Sequence, residues 1–135
     1  MFRKLLFLGV LIYTTIEINN VTFNGGLVYV AVYSNEQDYK NEKAFVNFIL
    51  QPTNATLTHS LDLPEGEYVV SVFQDKDGNG KLNEGIFGIP TEHVGKTNYS
   101  LRGSPGGFDK LKVPVNNNSK KLTVNIGRVK PLGII

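Results

Sequence analysis

A chain of 135 residues with 41% hydrophobic and 19% charged side chains has the balance of one globular domain, long enough to bury a core unaided. It contains no Cys, which excludes a disulfide framework, a thiolate nucleophile and a Cys-based zinc or iron–sulfur site, and is compatible with an oxidising compartment. The net charge is +2, but Arg3 and Lys4 supply that excess and the remainder is balanced, so no basic nucleic-acid footprint is visible.

In chain order, a basic start at Arg3-Lys4 runs into an apolar stretch from Leu5 to Tyr13. That run is too short for a membrane span and fits the apolar region of a signal peptide, so residues 1–13 are expected to be a leader and the protein to be exported. The domain is expected over residues 14–127, with a tail from 128 to 135. Thr14 to Asn20 alternates, with Ile16 and Ile18 on one face. Gly25-Gly26 marks a turn. In LVYVAVY, residues Leu27, Tyr29, Ala31 and Tyr33 share one face and Val28, Val30 and Val32 the other, which predicts a central strand. The polar stretch 34–43 reads as a loop with at most one helical turn.

Ala44–Leu50 and Ala55–Leu61 read as further strands. Pro64-Glu65-Gly66 reads as a tight turn in which Gly66 supplies a positive φ, and Tyr68 to Phe73 is a strong β run. Residues 91–107 show no clear period, and Phe108–Val115 and Leu122–Ile126 read as closing strands. Lys120, Lys121, Arg128 and Lys130 read as solvation of an edge strand and tail. Short strands at this spacing predict an all-β sandwich of about seven strands with one long irregular loop.

The chemically distinctive stretch is FQDKDGNGKLNEGIFGIP, residues 73–90. Calcium takes six or more hard oxygens, and alternate side chains on a curled loop can converge on it. Asp75, Asp77 and Asn79 hold positions 1, 3 and 5 of such a loop, with Gly80 at the sharp turn. The Lys81 carbonyl and Asn83 stand at positions 7 and 9. The closing position 12 is Ile86, so Glu84 would have to close the shell. Three acids against Lys76 and Lys81 leave one net negative charge, which predicts a weak, millimolar site. The same residues also make a metal-free turn, because Asp77-Gly78 and Asn79-Gly80 are favoured turn pairs.

Together, LPEGEY, VVSVFQDKDGNGKLN and FGIP resemble the bacterial exported family catalogued as a domain of unknown function, number 2141. In that family an L-P-x-G-x-Y-A-V-x-V turn and strand precede a D-x-N-G-N-G-x-L-D loop and F/L-G-I-P. Asn98, Arg102, Gly103, Pro105, Phe108 and Asp109 stand in register with its later segment. The resemblance spans about residues 14–127. It implies a β-sandwich of the immunoglobulin-like or prealbumin-like kind outside the cytoplasm, and implies no activity. Two positions depart: Asn83 replaces the family's usual loop-ending Asp, and Gln74 replaces a His before the first loop Asp. A weaker similarity is to calcium-binding B-type repeats of Gram-positive surface adhesins.

Catalytic signatures are sparse. His93 with Ser100 or Ser104 lacks a G-x-S-x-G context. His59 reads as solvent-facing, and Tyr33, Tyr39, Tyr68 and Tyr99 read as packing residues rather than a sugar platform. The expectation is a non-catalytic exported binding or accessory module, with calcium in the 75–84 loop and a small ligand, glycan or protein as partner. The alternatives are a surface-assembly component that pairs through a strand edge and an enzyme of unrecognised kind built on residues 75–107.

Overall fold

The computed structural model describes residues 9–82 and 92–131. It is an all-β sandwich of two sheets. One has three strands in the order β4-β1-β8, built from β1 (Leu11–Asn19), β4 (Leu57–Pro64) and β8 (Lys121–Asn125). The other runs β3-β2-β5-β6, from β2 (Leu27–Tyr33), β3 (Val46–Leu50), β5 (Gly66–Asp75) and β6 (Val94–Lys96), and β7 (Val113–Val115) joins β5. Among the described strands, every pairing is antiparallel except that of β1 with β8.

Period-two patterning builds the core. Ile12, Ile16 and Ile18 of β1 face Val28, Val30 and Val32 of β2, joined by Leu63, Val70, Val72, Leu122 and Val124, all at most 2% exposed. Each such side chain contributes about 1.5–3 kcal/mol on leaving water. β1 begins at Leu11, three residues before the expected start at Thr14, and Leu11–Tyr13 pair with Asp62–Pro64. The apolar run merges with the strand, and Ile12 continues the alternation of Ile16 and Ile18. Residues 1–8 of the expected leader lie outside the described residues. At the other end, Lys130 accepts a hydrogen bond from Gly103 and donates one to Leu101, both through backbone, so residues counted as tail are tied to the domain.

LPEGEY is a corner between sheets rather than a hairpin turn, since β4 lies in one sheet and β5 in the other. Gly66 is not among the residues with positive φ. The corner is fixed by Tyr68, whose buried phenol donates to the Pro64 carbonyl at 2.6 Å, a bond like that of a tyrosine corner in other sandwiches.

Three further expectations are corrected. Phe108–Leu111 is a helical turn, α2, and only Val113–Val115 is strand. Phe108 and Leu111, three apart, are both buried with Val69 on the outer face of the second sheet, and that i,i+3 requirement overrides the alternation. Residues 91–107 are not wholly irregular, because β6 pairs with Ser71–Phe73. His59 is not solvent-facing. It is half-buried on the same side of β4 as Leu57 and Leu63, with its ring stacked on Phe48 at 4.0 Å. A short helix, α1 (Glu36–Lys40), is capped by Asn35, whose side chain accepts from the Asp38 N–H at 2.8 Å. Its Tyr39 packs edge-on against Tyr33, with ring centroids 5.2 Å apart.

Candidate functional site: a carboxylate-bearing hairpin loop and an adjacent cleft

β5 and β6 are antiparallel neighbours, so residues 76–93 form the connection of a long hairpin. Its root is held by Gln74, which is fully buried. The Gln74 amide accepts from the Thr22 N–H at 2.9 Å and donates to the carbonyls of Thr22 at 2.8 Å and Gly26 at 3.0 Å. Gln74 therefore serves as a clamp on the β1–β2 connection, a role that uses both ends of an amide.

Asp75, 2% exposed, organises the loop. Its carboxylate accepts from the Gly78 N–H at 3.1 Å and the Gly80 N–H at 2.6 Å. Asp77 accepts from the Asn79 N–H at 3.1 Å, and Asn79 from the Lys81 N–H at 2.8 Å. Gly78 and Gly80 have φ of 73° and 75°, the left-handed curl that points these N–H groups inward. Burial alone would raise the Asp75 pKa. The Gly80 N–H, contacts with Asp77 and Glu92 and the Asn79 N–H outweigh it, and the carboxyl is held below its ordinary value.

The third acid comes from the far side of the hairpin. Glu92 is 4% exposed and accepts from the Lys76 N–H at 3.0 Å. Carboxylate oxygens of Asp75, Asp77 and Glu92 all lie within 4.8 Å of one another. The structure thus joins two of the expected ligands, Asp75 and Asp77, to a residue the sequence reading did not select. Asn79 and Lys81 follow in the same curl. Asn83 and Glu84 lie outside the described residues. Glu92 stands seventeen residues beyond Asp75 by sequence number, outside any contiguous loop template, and only the pairing of β6 with β5 brings it back. Next to it, the His93 carbonyl accepts from the Gln74 N–H. Burial, then the charges of Lys76 and Arg128, lower the His93 pKa.

Beside the loop, the outer face of the second sheet holds an open cleft of about 890 Å³. Tyr29 and Phe73, a cross-strand pair, form a parallel stack with centroids 4.9 Å apart. Ile49, Tyr39, Lys81 and Lys96 also line it. The partly buried Lys96 ammonium donates to the Ser71 hydroxyl at 2.9 Å and lies 5.0 Å from the Tyr39 ring centroid. Burial lowers its pKa to about 8, against an opposing pull from Glu42.

These features define a class of protein: a two-sheet β-sandwich with a carboxylate-bearing hairpin loop set beside a cleft on its outer face. The family model described as "Uncharacterized protein conserved in bacteria (DUF2141)" matches residues 16–123, and the chain belongs to that family. No curated protein and no solved structure matches the chain. No helix among the described residues is long and apolar enough to cross a membrane.

Proposed function

We propose that this protein is a non-catalytic binding module that acts outside the cytoplasm, and that calcium stabilises its hairpin loop. The observation that carries this reading is the convergence of Asp75, Asp77 and Glu92, whose ligand oxygens lie within 4.8 Å of one another. Three carboxylates this close repel unless a cation or proton compensates them. All the donors are hard oxygens, the type calcium selects. The donor set also fits at the level of lone pairs. The Asp75 carboxylate accepts from the Gly78 and Gly80 N–H groups, and a carboxylate's two oxygens offer about four acceptor sites, so backbone donors and an ion can share it. Calcium would be held by the carboxylates of Asp75, Asp77 and Glu92, with the Asn79 side chain, the Lys81 carbonyl, Asn83 and Glu84 as the remaining candidates. In this role the ion supplies charge compensation and loop rigidity. The export reading rests on the basic-then-apolar sequence of residues 3–10, ahead of the strand that takes up Leu11–Tyr13.

A thermal melt with calcium against chelator tests this. A ligand that binds only the folded state raises the midpoint. At calcium about tenfold above its dissociation constant, the gain is about 1.4 kcal/mol, or roughly 3–5 °C for a domain of this size. The expected result is such a shift in the wild type and its loss in Asp77→Ala. Identical midpoints with and without several millimolar calcium would remove the metal from the account.

A further inference from the structure

We propose that the cleft on the outer face of the second sheet binds a small organic anion with a flat apolar body, its anionic group at Lys96 and its body against Tyr29, Phe73 and Ile49. The inference rests on the reading of this protein as a binding module, but not on calcium.

Four observations converge on that ligand. The first is size, since about 890 Å³ falls in the range of small-molecule sites, roughly 300–1,000 Å³. The second is the wall. Tyr29 and Phe73 stack at 4.9 Å with their planes 4° apart, and Ile49, which lines the same cleft, is 54% exposed. Tyr29 and Phe73 are half-buried, and with Ile49 they leave aromatic and aliphatic surface open to the cleft, where a flat body gains burial and stacking.

The third observation is the state of Lys96. Its ammonium is partly buried, yet among the described residues it forms no ion pair. Its near partners are a neutral hydroxyl and a ring face. The Glu42 carboxylate pulls on it without reaching ion-pair distance, so the cation is only partly compensated on leaving water. An anion entering the cleft would supply the missing charge and take one of the ammonium's three donors. The fourth is the sign of the surroundings. Lys40, Lys81 and Lys96 line the cleft with Glu42; Lys40 is paired to Glu36 at 3.3 Å, so Lys81 and Lys96 against Glu42 leave the lining net positive, which favours an anion. The hairpin loop contributes directly to this wall. Gly80 lies close to the Tyr29 hydroxyl, 3.7 Å from where a Cβ would stand, and the next residue is Lys81. The loop built on Asp75 therefore positions one of the cleft's cations.

The probe is 2-naphthoate, with the neutral 2-naphthylmethanol as its uncharged counterpart. Both are titrated calorimetrically into the full chain, in calcium and in chelator. The expected result is saturable naphthoate binding, at least tenfold weaker binding of the alcohol, a tenfold or greater loss in Lys96→Met, and retention in Lys96→Arg. Backbone amide NMR shifts in the wild type provide a readout that needs no variant, and the largest should fall at Ser71, Phe73, Lys96 and Tyr29. Absence of naphthoate binding at millimolar concentration, equal binding of the alcohol, or shifts clustered away from this face would each overturn the proposal. Naphthoate binding that persists in chelator while calcium produces no melt shift would leave this inference standing and remove the calcium reading. The reverse pattern would do the opposite.

Discussion

Lys96→Met should make the protein more stable at pH 7, and the gain should vanish as the pH is raised. Partial burial holds the Lys96 ammonium pKa at about 8, against an ordinary value of 10.5. The folded state thus binds this proton less tightly than the unfolded chain does. Stability follows the difference in bound protons, so the charged lysine costs stability below about pH 8. That cost falls as pH rises from about 8 towards 10.5, and above the unfolded value it is gone. The shift corresponds to a cost on the order of 3 kcal/mol. Tyr33, Tyr39, Lys40, Glu42 and Lys81 share the cleft. Burial raises the phenol pKa values of Tyr33 and Tyr39, which keeps both neutral through most of this window. Methionine keeps the chain length, fills the same space and carries no charge. Urea unfolding at pH 7, 8, 9 and 10 should therefore show wild type and variant converging by about 2–3 kcal/mol. Parallel curves would mean that Lys96 carries no such burden. A variant that is more stable yet loses naphthoate would show that the lysine is retained for binding at the expense of stability.

Gly26→Ala should be among the most damaging single substitutions in the chain, and Gly78→Ala should be mild, although both positions have a positive φ. Gly26 has φ of 111°, and a Cβ there would stand 1.9 Å from the Asp75 carbonyl oxygen and 2.6 Å from its carbon. Both are backbone atoms of β5, so neither can swing aside. Gly26 also offers the carbonyl that Gln74 binds at 3.0 Å. Backbone strain and overpacking together should cost about 3–5 kcal/mol. At Gly78, with φ of 73°, nothing among the described residues lies within 4 Å of a Cβ, which leaves the conformational penalty of about 1 kcal/mol. Denaturant midpoints of the two variants against wild type measure the contrast. Equal losses would show that the close approach of Gly26 to Asp75 does not hold in solution. Because Asp75 is the root of the hairpin loop, Gly26→Ala should also weaken any calcium response, whereas Gly78→Ala acts only on the curl.

The two-sheet architecture was legible because most of its strands are patterned by burial alone. β2 reads directly from Val28, Val30 and Val32, since a central strand buries every second side chain whatever the topology. The strand after LPEGEY was equally plain, but its corner was not. A Pro-x-Gly sequence serves a hairpin and a crossing between sheets alike, and only the partners of β4 and β5 distinguish them. α2 is hidden in the sequence because four residues are too few to show a helical period, and Leu111, Val113 and Val115 alternate as a strand would. The face of His59 is not legible in the sequence, because a polar ring on a strand rim stacks on an aromatic such as Phe48 as readily as it meets water. At the loop, Asp75, Asp77 and Asn79 were visible because they are contiguous and evenly spaced. Glu92 and Lys96 were not, because both arrive on β6 or just before it, and β6 is a three-residue strand whose pairing depends on contacts distant in sequence. Tyr29 was counted with the strand and Phe73 with its neighbour, yet their stack exists only across the β2–β5 register. Residues 83–91 carry part of the loop template and lie outside the described residues.

Calorimetric titration of calcium into wild type and Glu92→Gln tests most directly whether the acids of the hairpin loop act together on a cation. Glutamine keeps the acceptor for the Lys76 N–H but removes one of the three converging charges. The predicted result is measurable millimolar-range calcium binding in the wild type and a loss of about tenfold or more in Glu92→Gln, with the unfolding midpoint in chelator no lower than that of the wild type, because one repelling charge is gone. Equal calcium affinity in the two proteins, or no binding in either, would contradict it.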